Sequence, residues 1–133
     1  MNDHTVKSYE EELALLDKKI AQMGGIAEQN LGQSFDALER RDPKLAEAVI
    51  NSDRLIDNLE REIEEQVIQM IARRQPLADD LRHIMAALRI TGDLERIGDL
   101  AGDFLQIGVE RLGGVIDSGG DVSHLRYPKR PVM

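Results

Sequence analysis

The amino-acid sequence predicts an all-α protein, an antiparallel up-down-up bundle of three long helices. Apolar residues recur at helical spacing over long stretches, and the four prolines all lie outside those stretches. Aromatic residues make up only 3% of the chain, whereas charged residues make up 32% and are spread along it. This combination is typical of long helices that bury one side and expose the other to water.

The first predicted helix extends from about residue 6 to about residue 41 and begins with a seven-residue apolar repeat. Intervals of three and four residues alternate over three heptads, which is typical of a helix that packs against other helices. Ser8 and Glu11 form a candidate capping box, although the repeat starts before them. Beyond the repeat, the pattern relaxes through Leu31, Phe35 and Leu38. The residues of the repeat are Val6, Tyr9, Leu13, Leu16, Ile20, Met23 and Ala27.

The second predicted helix starts at Asp42-Pro43, an N-cap acid followed by a proline in the first helical position. It ends at Arg73-Arg74, where basic side chains suit the negative end of the helix dipole, and Gln75-Pro76 then breaks the chain. Short connections of this kind make successive helices antiparallel neighbours. The predicted inner face consists of Leu45, Val49, Ile56, Ile63, Val67 and Met70.

The third predicted helix extends from about Leu77 to at least Ala101, and its apolar stripe leads into two acids. Projected at about 100° per residue, the stripe continues into Glu95 and Asp99, which lie one turn apart. Carboxylates in a buried stripe cost desolvation energy unless a cation lies beside them. A bound metal ion is therefore a candidate. The apolar residues of the stripe are Leu77, Leu81, Ile84, Leu88 and Thr91.

Six glycines lie inside the first and third predicted helices, where each costs about 1 kcal/mol relative to alanine. Those at positions 24, 25 and 32 are expected to allow a close approach between helices or a slight bend. Those at positions 92, 98 and 102 remove side chains from around the two acids of the third helix.

A second column of carboxylates lies on the second helix at spacings of three and four residues. Asp53 and Glu60 are predicted at the border of the buried face, and Asp57 and Glu64 slightly further out on the same side. Carboxylates at i and i+4 on two adjacent helices are how bundle proteins form oxygen-rich metal sites. Mg²⁺, Ca²⁺, Mn²⁺, Fe or Zn²⁺ are chemically acceptable there. The candidate ligands are Asp53, Asp57, Glu95 and Asp99, with Glu60, Glu64 and Asp103 as additional candidates.

Two other interpretations of these acids remain open. Acids at this spacing are common on solvated helix faces, and they also pair with basic residues. Arg89 and Arg96 are candidate partners for the acids of the third helix. His83 projects away from the stripe and is predicted to be a surface residue rather than a ligand.

Composition excludes several classes of function. The net charge of −8 and the few aromatic residues disfavour binding to nucleic acid. The chain has no cysteine, so disulfides and thiolate metal sites are ruled out. It has no phosphate-binding glycine loop and no serine–histidine arrangement, so catalysis is not predicted. No apolar run is long enough for a transmembrane segment, and a cytoplasmic location is expected.

The segment Leu94–Ala101, with the sequence LERIGDLA, resembles the signature of the PhoU family of bacterial regulators of phosphate uptake and phosphate signalling. In that family, E(D)xxxD motifs on helical bundles hold multinuclear metal clusters. Glu95 and Asp99 match one such motif, and Asp53 and Asp57 match another. The resemblance covers residues 9–101.

The resemblance implies a non-enzymatic regulator. Its expected partners are the ATPase subunit of the phosphate ABC transporter and a phosphate-responsive sensor histidine kinase. Its expected role is negative regulation: it represses the phosphate-starvation response when phosphate is plentiful and restrains uptake. The implied cofactor is a divalent or multinuclear metal centre of Fe, Zn, Mn, Mg or Ca.

The end of the sequence departs from the family pattern. Asp103 stands where the family has an asparagine, and residues 113–133 are rich in glycine and proline without helical period. We therefore expect a PhoU-like bundle over residues 1–112 and a flexible tail over residues 113–133. The family fold is expected to have six helices, of which this chain has three. One hypothesis is a frameshift or truncation, and the other is a half-length form that assembles as a homodimer to restore six helices.

Two other functions compete with the regulatory one. The first is a structural helical bundle or oligomerisation module without metal. The second is a carboxylate-bridged metalloenzyme, which generally needs a Glu-x-x-His arrangement. The sequence has no such pair, because His83 does not follow a glutamate at position 80.

Overall fold

The computed structural model describes residues 3–111, with side chains described for residues 7–108, and it confirms the predicted three-helix bundle. Helix α1 comprises Asp3–Arg40, α2 comprises Pro43–Arg74 and α3 comprises Ala78–Arg111. This part of the chain contains no β-strand. None of its helices is both long enough and apolar enough to cross a membrane. The predicted tail, residues 113–133, lies outside the described residues.

The chain reverses direction between α1 and α2 within two residues. Arg41 has a φ of 55°, in the left-handed region, and Asp42 follows as the N-cap of α2. Asp42 Oδ1 accepts hydrogen bonds from the backbone amides of Lys44 and Leu45, both at 3.1 Å. Pro43 occupies a position where an amide would have no helical partner. The predicted start of the second helix is therefore confirmed.

The second connection follows the same physical logic. Gln75, with a φ of 47°, ends α2, and its backbone N–H donates to the Ile71 carbonyl at 3.3 Å. Basic residues occupy the last turn of α2, and Asp79 and Asp80 lie in the first turn of α3. In both places the charged side chains interact favourably with the helix dipole, as predicted.

Side-chain contacts fix the directions of the helices. The short first connection makes α1 and α2 antiparallel. Along α1 and α3, Asp17 meets His83 at 2.8 Å, and Phe35 meets Phe104 with ring centroids 4.5 Å apart. Residue numbers rise together in these two contacts, so α1 and α3 run in the same direction and the bundle is up-down-up.

The core consists of two groups of buried apolar side chains. We call them the large cluster and the small cluster. The predicted inner face of α2 is confirmed, since all its members except the half-buried Leu45 are buried. The buried members of the large cluster are Leu16, Met23, Ala27, Ile56, Leu59, Ile63, Val67, Met70, Ile84 and Ala87. Those of the small cluster are Ala37, Ala46, Val49 and Leu105.

The structure corrects both the start and the inner face of α1. The helix begins at Asp3, so the predicted capping box at Ser8 is wrong. After Ala27 the buried face continues through Asn30, Ser34 and Ala37, whereas Leu31 and Phe35 are exposed. The intervals of three and four residues simply continue, and the positions they select carry polar or small side chains. Geometry therefore decides which residues are buried here, and hydrophobicity does not.

The beginning of the predicted stripe on α3 is also corrected. Leu77 lies in the connection before the helix and is 81% exposed, and Leu81 is exposed as well. Ile84 and Thr91 are buried as predicted. The Thr91 hydroxyl donates to the Ala87 carbonyl at 2.7 Å, which satisfies this polar group inside the core.

Candidate functional site

The structure changes the order of burial among the predicted acidic ligands. Asp53, expected at the border of the buried face, is only 7% exposed. The acids predicted to be most central, Glu95 and Asp99, are only partly buried, because Leu94 and Gly98 take the inner positions of α3. Asp57 and Glu60 are likewise partly buried, whereas Glu64 and Asp103 are exposed.

Gly98 brings the two acidic columns together. An added Cβ at this position would lie 3.0 Å from Ile56 Cδ1 and 3.5 Å from Asp53 Oδ1. The missing side chain therefore allows Asp53 of α2 to lie directly against the segment of α3 that bears Glu95 and Asp99. Asp57, Glu60, Glu95 and Asp99 each take part in further polar or electrostatic interactions.

Four of the other helical glycines, at positions 24, 25, 32 and 92, lie in more open surroundings, whereas Gly108 packs closely against Leu38. A Cβ added at Gly24 would lie 3.8 Å from Leu94 Cδ1, which is an ordinary van der Waals contact. Added Cβ atoms at Gly25, Gly32 and Gly92 would meet nothing within 4 Å. The expectation that Gly25 and Gly32 mediate a close helix approach is therefore wrong.

Buried polar residues separate the two apolar clusters, and we call Asn30, Ser34 and Asp53 the polar layer. On α1, Asn30 and Ser34 fall between the two clusters, and on α2 Asp53 does the same. The Ser34 hydroxyl donates to the Leu31 carbonyl at 2.7 Å. Asn30 Oδ1 and Asp53 Oδ1 are buried without a hydrogen-bond donor among the described residues. Each such oxygen costs about 1–3 kcal/mol unless a proton, water or cation meets it.

Asn30 and Ser34 were not predicted as part of the site. The signal that would have revealed them is the repeat itself, because its intervals place residues 30 and 34 on the inner face after Ala27. Polar residues at those positions predict a polar layer inside the core. The predicted inner face followed the apolar Leu31 and Phe35 instead, and these two residues lie on the exposed side of α1.

The chemistry of the donors suits a hard cation, because carboxylate and amide oxygens are the ligands that Mg²⁺, Ca²⁺ and Mn²⁺ prefer. The arrangement of these ligands in space is less favourable for a metal ion. Among the described residues, no three or more acidic or histidine side chains converge closely enough to hold a metal ion. Within the described part of the chain, Asp53 Oδ1 is buried without a donor beside the acidic segment of α3, but a full set of metal ligands is not present.

His83 and the arginines of α3 occupy the surface. His83 is exposed, as predicted, and its Nε2 lies 2.8 Å from Asp17 Oδ1. Arg96 Nη1 lies 3.5 Å from Asp93 Oδ1 on the same helix. Arg89 forms no salt bridge within residues 7–108.

A second polar network lies where α1 begins and α2 ends. Arg74 binds both carboxylate oxygens of Glu12, at 3.1 and 3.3 Å, and donates to Ser8 Oγ at 3.1 Å. The hydrogen bond to Glu12 raises the pKa of Arg74. Burial, followed by the charges of Asp80 and Glu12, raises the pKa of the Tyr9 hydroxyl above its ordinary value of 10.0. This network ties the first turns of α1 to the end of α2.

Comparison with known proteins identifies the family. The sequence model of the PhoU domain matches residues 20–107, a range that includes both acidic columns and the polar layer. The chain belongs to the PhoU domain family. This match confirms the family suggested by the segment Leu94–Ala101.

Relatives with this PhoU domain are similar over about three quarters of the chain. The phosphate-specific transport system accessory protein PhoU homolog of Caulobacter vibrioides strain NA1000 / CB15N is 52% identical over 101 residues, which cover 76% of this chain and 44% of the relative. The PhoU homolog of Rhizobium meliloti strain 1021 is 48% identical, with 73% and 41% covered. That of Clostridium acetobutylicum is 40% identical, with 83% and 50% covered. The chain therefore spans half or less of the length of these relatives.

Proposed function

We propose that this chain is a regulatory accessory protein of phosphate transport, acting in the cytoplasm without catalytic activity of its own. The observation that carries the proposal is the PhoU domain match over residues 20–107. Relatives with up to 52% identity are named as accessory proteins of the phosphate-specific transport system. The proposed role is negative regulation, in which the protein restrains phosphate uptake and the phosphate-starvation response when phosphate is plentiful.

The proposed partners are the ATPase subunit of the phosphate ABC transporter and a phosphate-responsive sensor histidine kinase. Long, rigid helices with exposed faces suit this role, because they present continuous surfaces without needing a substrate pocket. The partly buried acids Glu95 and Asp99 lie at the rim of the candidate site, where a basic patch of a partner can reach them.

Capture of the purified chain by the transporter's ATPase subunit tests the proposed function. We expect specific binding by the unaltered chain and loss of binding by the double variant Glu95→Ala, Asp99→Ala. The matched control is Glu62→Ala, Glu65→Ala, which removes two exposed acids from α2. Circular dichroism verifies that all three proteins are equally helical. Absence of capture by the folded, unaltered chain contradicts the proposal for this chain.

We also propose that the candidate site binds a divalent cation through Asp53, Asp57, Glu95 and Asp99. The buried Asp53 oxygen without a donor supports this, since a cation would meet its unsatisfied charge. The proposed metal is one of Fe, Zn, Mn, Mg or Ca, and thermal unfolding in the presence of each ion is the test. A ligand present at 100 times its dissociation constant stabilises a protein by about 2.7 kcal/mol.

The matched variants for this metal test are Asp53→Asn and Asp93→Asn. Asp53→Asn is expected to abolish the thermal stabilisation, because it removes the buried negative charge. Asp93→Asn removes an exposed acid of α3 and is expected to leave the metal-induced thermal stabilisation unchanged. If none of the ions stabilises the unaltered chain, the metal proposal is contradicted.

A homodimer is the proposed assembly, and five exposed apolar side chains support it. Phe35 of α1 and Phe104 of α3 touch each other and are 51% and 38% exposed. Contiguous exposed apolar surface of this kind commonly marks a protein interface. We expect light scattering to show a dimer and Phe35→Glu to convert it to a monomer. The members of this aromatic patch are Leu31, Phe35, Leu100, Phe104 and Ile107.

A structural bundle without metal is the second candidate function. It is favoured by the finding that no group of three or more metal-binding side chains converges within the described part of the chain. In that case the folded chain would not capture the ATPase subunit, and Glu95→Ala, Asp99→Ala would raise stability, because the double variant removes two partly buried charges.

A further inference from the structure

The outer side of α3 carries a row of three arginines. Arg82, Arg89 and Arg96 are seven residues apart, which is nearly two full helical turns, and all three are exposed. Their Cα atoms therefore form an almost straight line about 21 Å long along the helix. A positive row of this length stands out in a chain whose net charge is −8.

An apolar strip accompanies the arginine row. Leu81 and Met85 are 40% and 54% exposed, and Leu88 is partly exposed. A surface groove of about 840 Å³ runs along this side of α3, where the small residues Ala78 and Gly92 leave room. The residues that line it within the described part of the chain all belong to α3, so neither α1 nor α2 lines this face. We call the arginine row and its apolar strip the α3 outer face.

The arginines of this face are available to a ligand. Arg82 and Arg96 pair with Asp79 and Asp93 on the same helix, but both pairs are largely exposed and are screened by water. The central Arg89 forms no salt bridge within residues 7–108. A partner carboxylate that reaches Arg89 therefore displaces no ion pair formed within residues 7–108.

We propose that the α3 outer face binds an acidic amphipathic helix of a partner protein. The face is straight and one helix wide, which suits a helix laid along the groove. Leu81 and Met85 would contact the apolar stripe of that helix, and the arginines would pair with acids that flank the stripe. The face is distinct from the acidic columns, so the proposal does not depend on the proposed phosphate function.

Charge and shape favour a protein helix over other anionic ligands. Nucleic acid and anionic membranes bind broad basic surfaces, whereas this chain has a net charge of −8 and the basic residues of this face form a single narrow row. The exposed leucine and methionine require an apolar contact beside the charged one, which a phosphate group does not supply. An amphipathic peptide supplies both contacts at the spacing of a helix.

The test uses a fluorescent synthetic helix of about 18 residues, long enough to span the row. It carries leucines along one stripe and glutamates on both sides of the stripe, and a control peptide carries lysines in place of the glutamates. Binding to the full chain is measured by fluorescence anisotropy at low and high salt. We expect the acidic peptide to bind, added salt to weaken binding, and the lysine peptide not to bind.

Two charge reversals locate the binding surface. Arg89→Glu is expected to weaken binding of the acidic peptide by about tenfold or more. Arg54→Glu reverses an exposed arginine on α2 and is expected to change binding by less than about twofold. Met85→Glu, which tests the apolar strip, is expected to weaken binding without removing an arginine. Circular dichroism verifies that each variant keeps its helical content.

Several outcomes overturn the proposal. Equal effects of Arg89→Glu and Arg54→Glu, or equal binding of both peptides, exclude a specific acidic-helix site. Binding of the chain to phosphatidylserine vesicles that is lost in Arg89→Glu assigns the face to a membrane instead. A change of oligomeric state in Arg89→Glu, measured by light scattering, assigns it to contact between copies of this chain.

Discussion

The two ends of the bundle are filled in different ways. The large cluster buries long side chains completely, as Leu16, Ile63 and Met70 show. The small cluster consists of two alanines, one valine and one leucine. Beside the small cluster, the bulky rings of Phe35 and Phe104 lie outside the core and are exposed. The polar layer separates these two ends.

This difference indicates a division between stability and recognition. Buried apolar area is the main source of folding free energy, so most of that energy comes from the large cluster. The polar layer has two buried oxygens that meet no donor within residues 7–108, and apolar side chains beside the small cluster are exposed. Both features lower the stability of the isolated chain, and both provide groups that a cation or a partner can contact.

The largest expected effect is the loss of stability when the large cluster is broken. Ile63 is fully buried, so Ile63→Ala removes packed methyl and methylene groups and leaves a cavity. We expect a loss of about 2–5 kcal/mol in the free energy of unfolding, measured by urea denaturation. Ile68 on the same helix is 66% exposed, and Ile68→Ala is expected to change stability by about 0.5 kcal/mol or less. Similar losses in both variants would contradict the division.

Removing the charge of Asp53 from the polar layer is expected to raise the free energy of unfolding, in contrast to the loss expected for Ile63→Ala. In the absence of divalent ions, Asp53→Leu replaces a buried carboxylate that lacks a donor on Oδ1 with an apolar side chain. We expect an increase of about 1–3 kcal/mol in the free energy of unfolding. The measurement is urea denaturation in the presence of a chelator. A loss of stability would indicate that Asp53 holds the core together rather than weakening it.

Two glycines of α3 are expected to respond in opposite directions. Gly98→Ala places a Cβ 3.0 Å from the end of the buried Ile56, and we expect a loss of about 1–2 kcal/mol from overpacking. Gly92→Ala meets nothing within 4 Å and is expected to gain up to about 1 kcal/mol from helix propensity. Thermal unfolding of the two variants distinguishes them. Equal gains would show that the crossing at Gly98 is loosely packed.

The smallest effect is expected at Tyr9, in the network at the start of α1. Because the pKa of Tyr9 is raised in the folded state, its contribution to stability is complete below about pH 10 and is lost as pH rises through the folded-state pKa. Tyr9→Phe is expected to reduce this alkaline loss. Near neutral pH it is expected to change stability by about 0.5 kcal/mol or less, since the hydroxyl has no hydrogen-bond partner among the described residues.

Urea denaturation at about pH 8 and about pH 11 measures the Tyr9 effect. The comparison is between the unaltered chain and Tyr9→Phe, so that the titration of other groups cancels. A parallel alkaline loss in both proteins would show that Tyr9 does not contribute to it.

The sequence by itself determined the three helices, the two connections between them and the family. Asp42-Pro43 and Gln75-Pro76 mark the two connections because capping and proline geometry are local properties. The inner face of α2 also followed from spacing alone, since its apolar residues agree with the helical period. The segment Leu94–Ala101 identified the family because its residues are specific.

Only the tertiary structure decided which acid is buried and what lies beside it. The helical period alone does not distinguish inner positions that differ by one residue. In the structure the inner face of α3 passes through Leu94 and Gly98, so Glu95 and Asp99 lie at its rim. The burial of Asn30 and the approach of Asp53 to α3 depend on contacts between helices that are distant in sequence. The position of a side chain around one helix is set by its packing partners, so the three helices together determine the site.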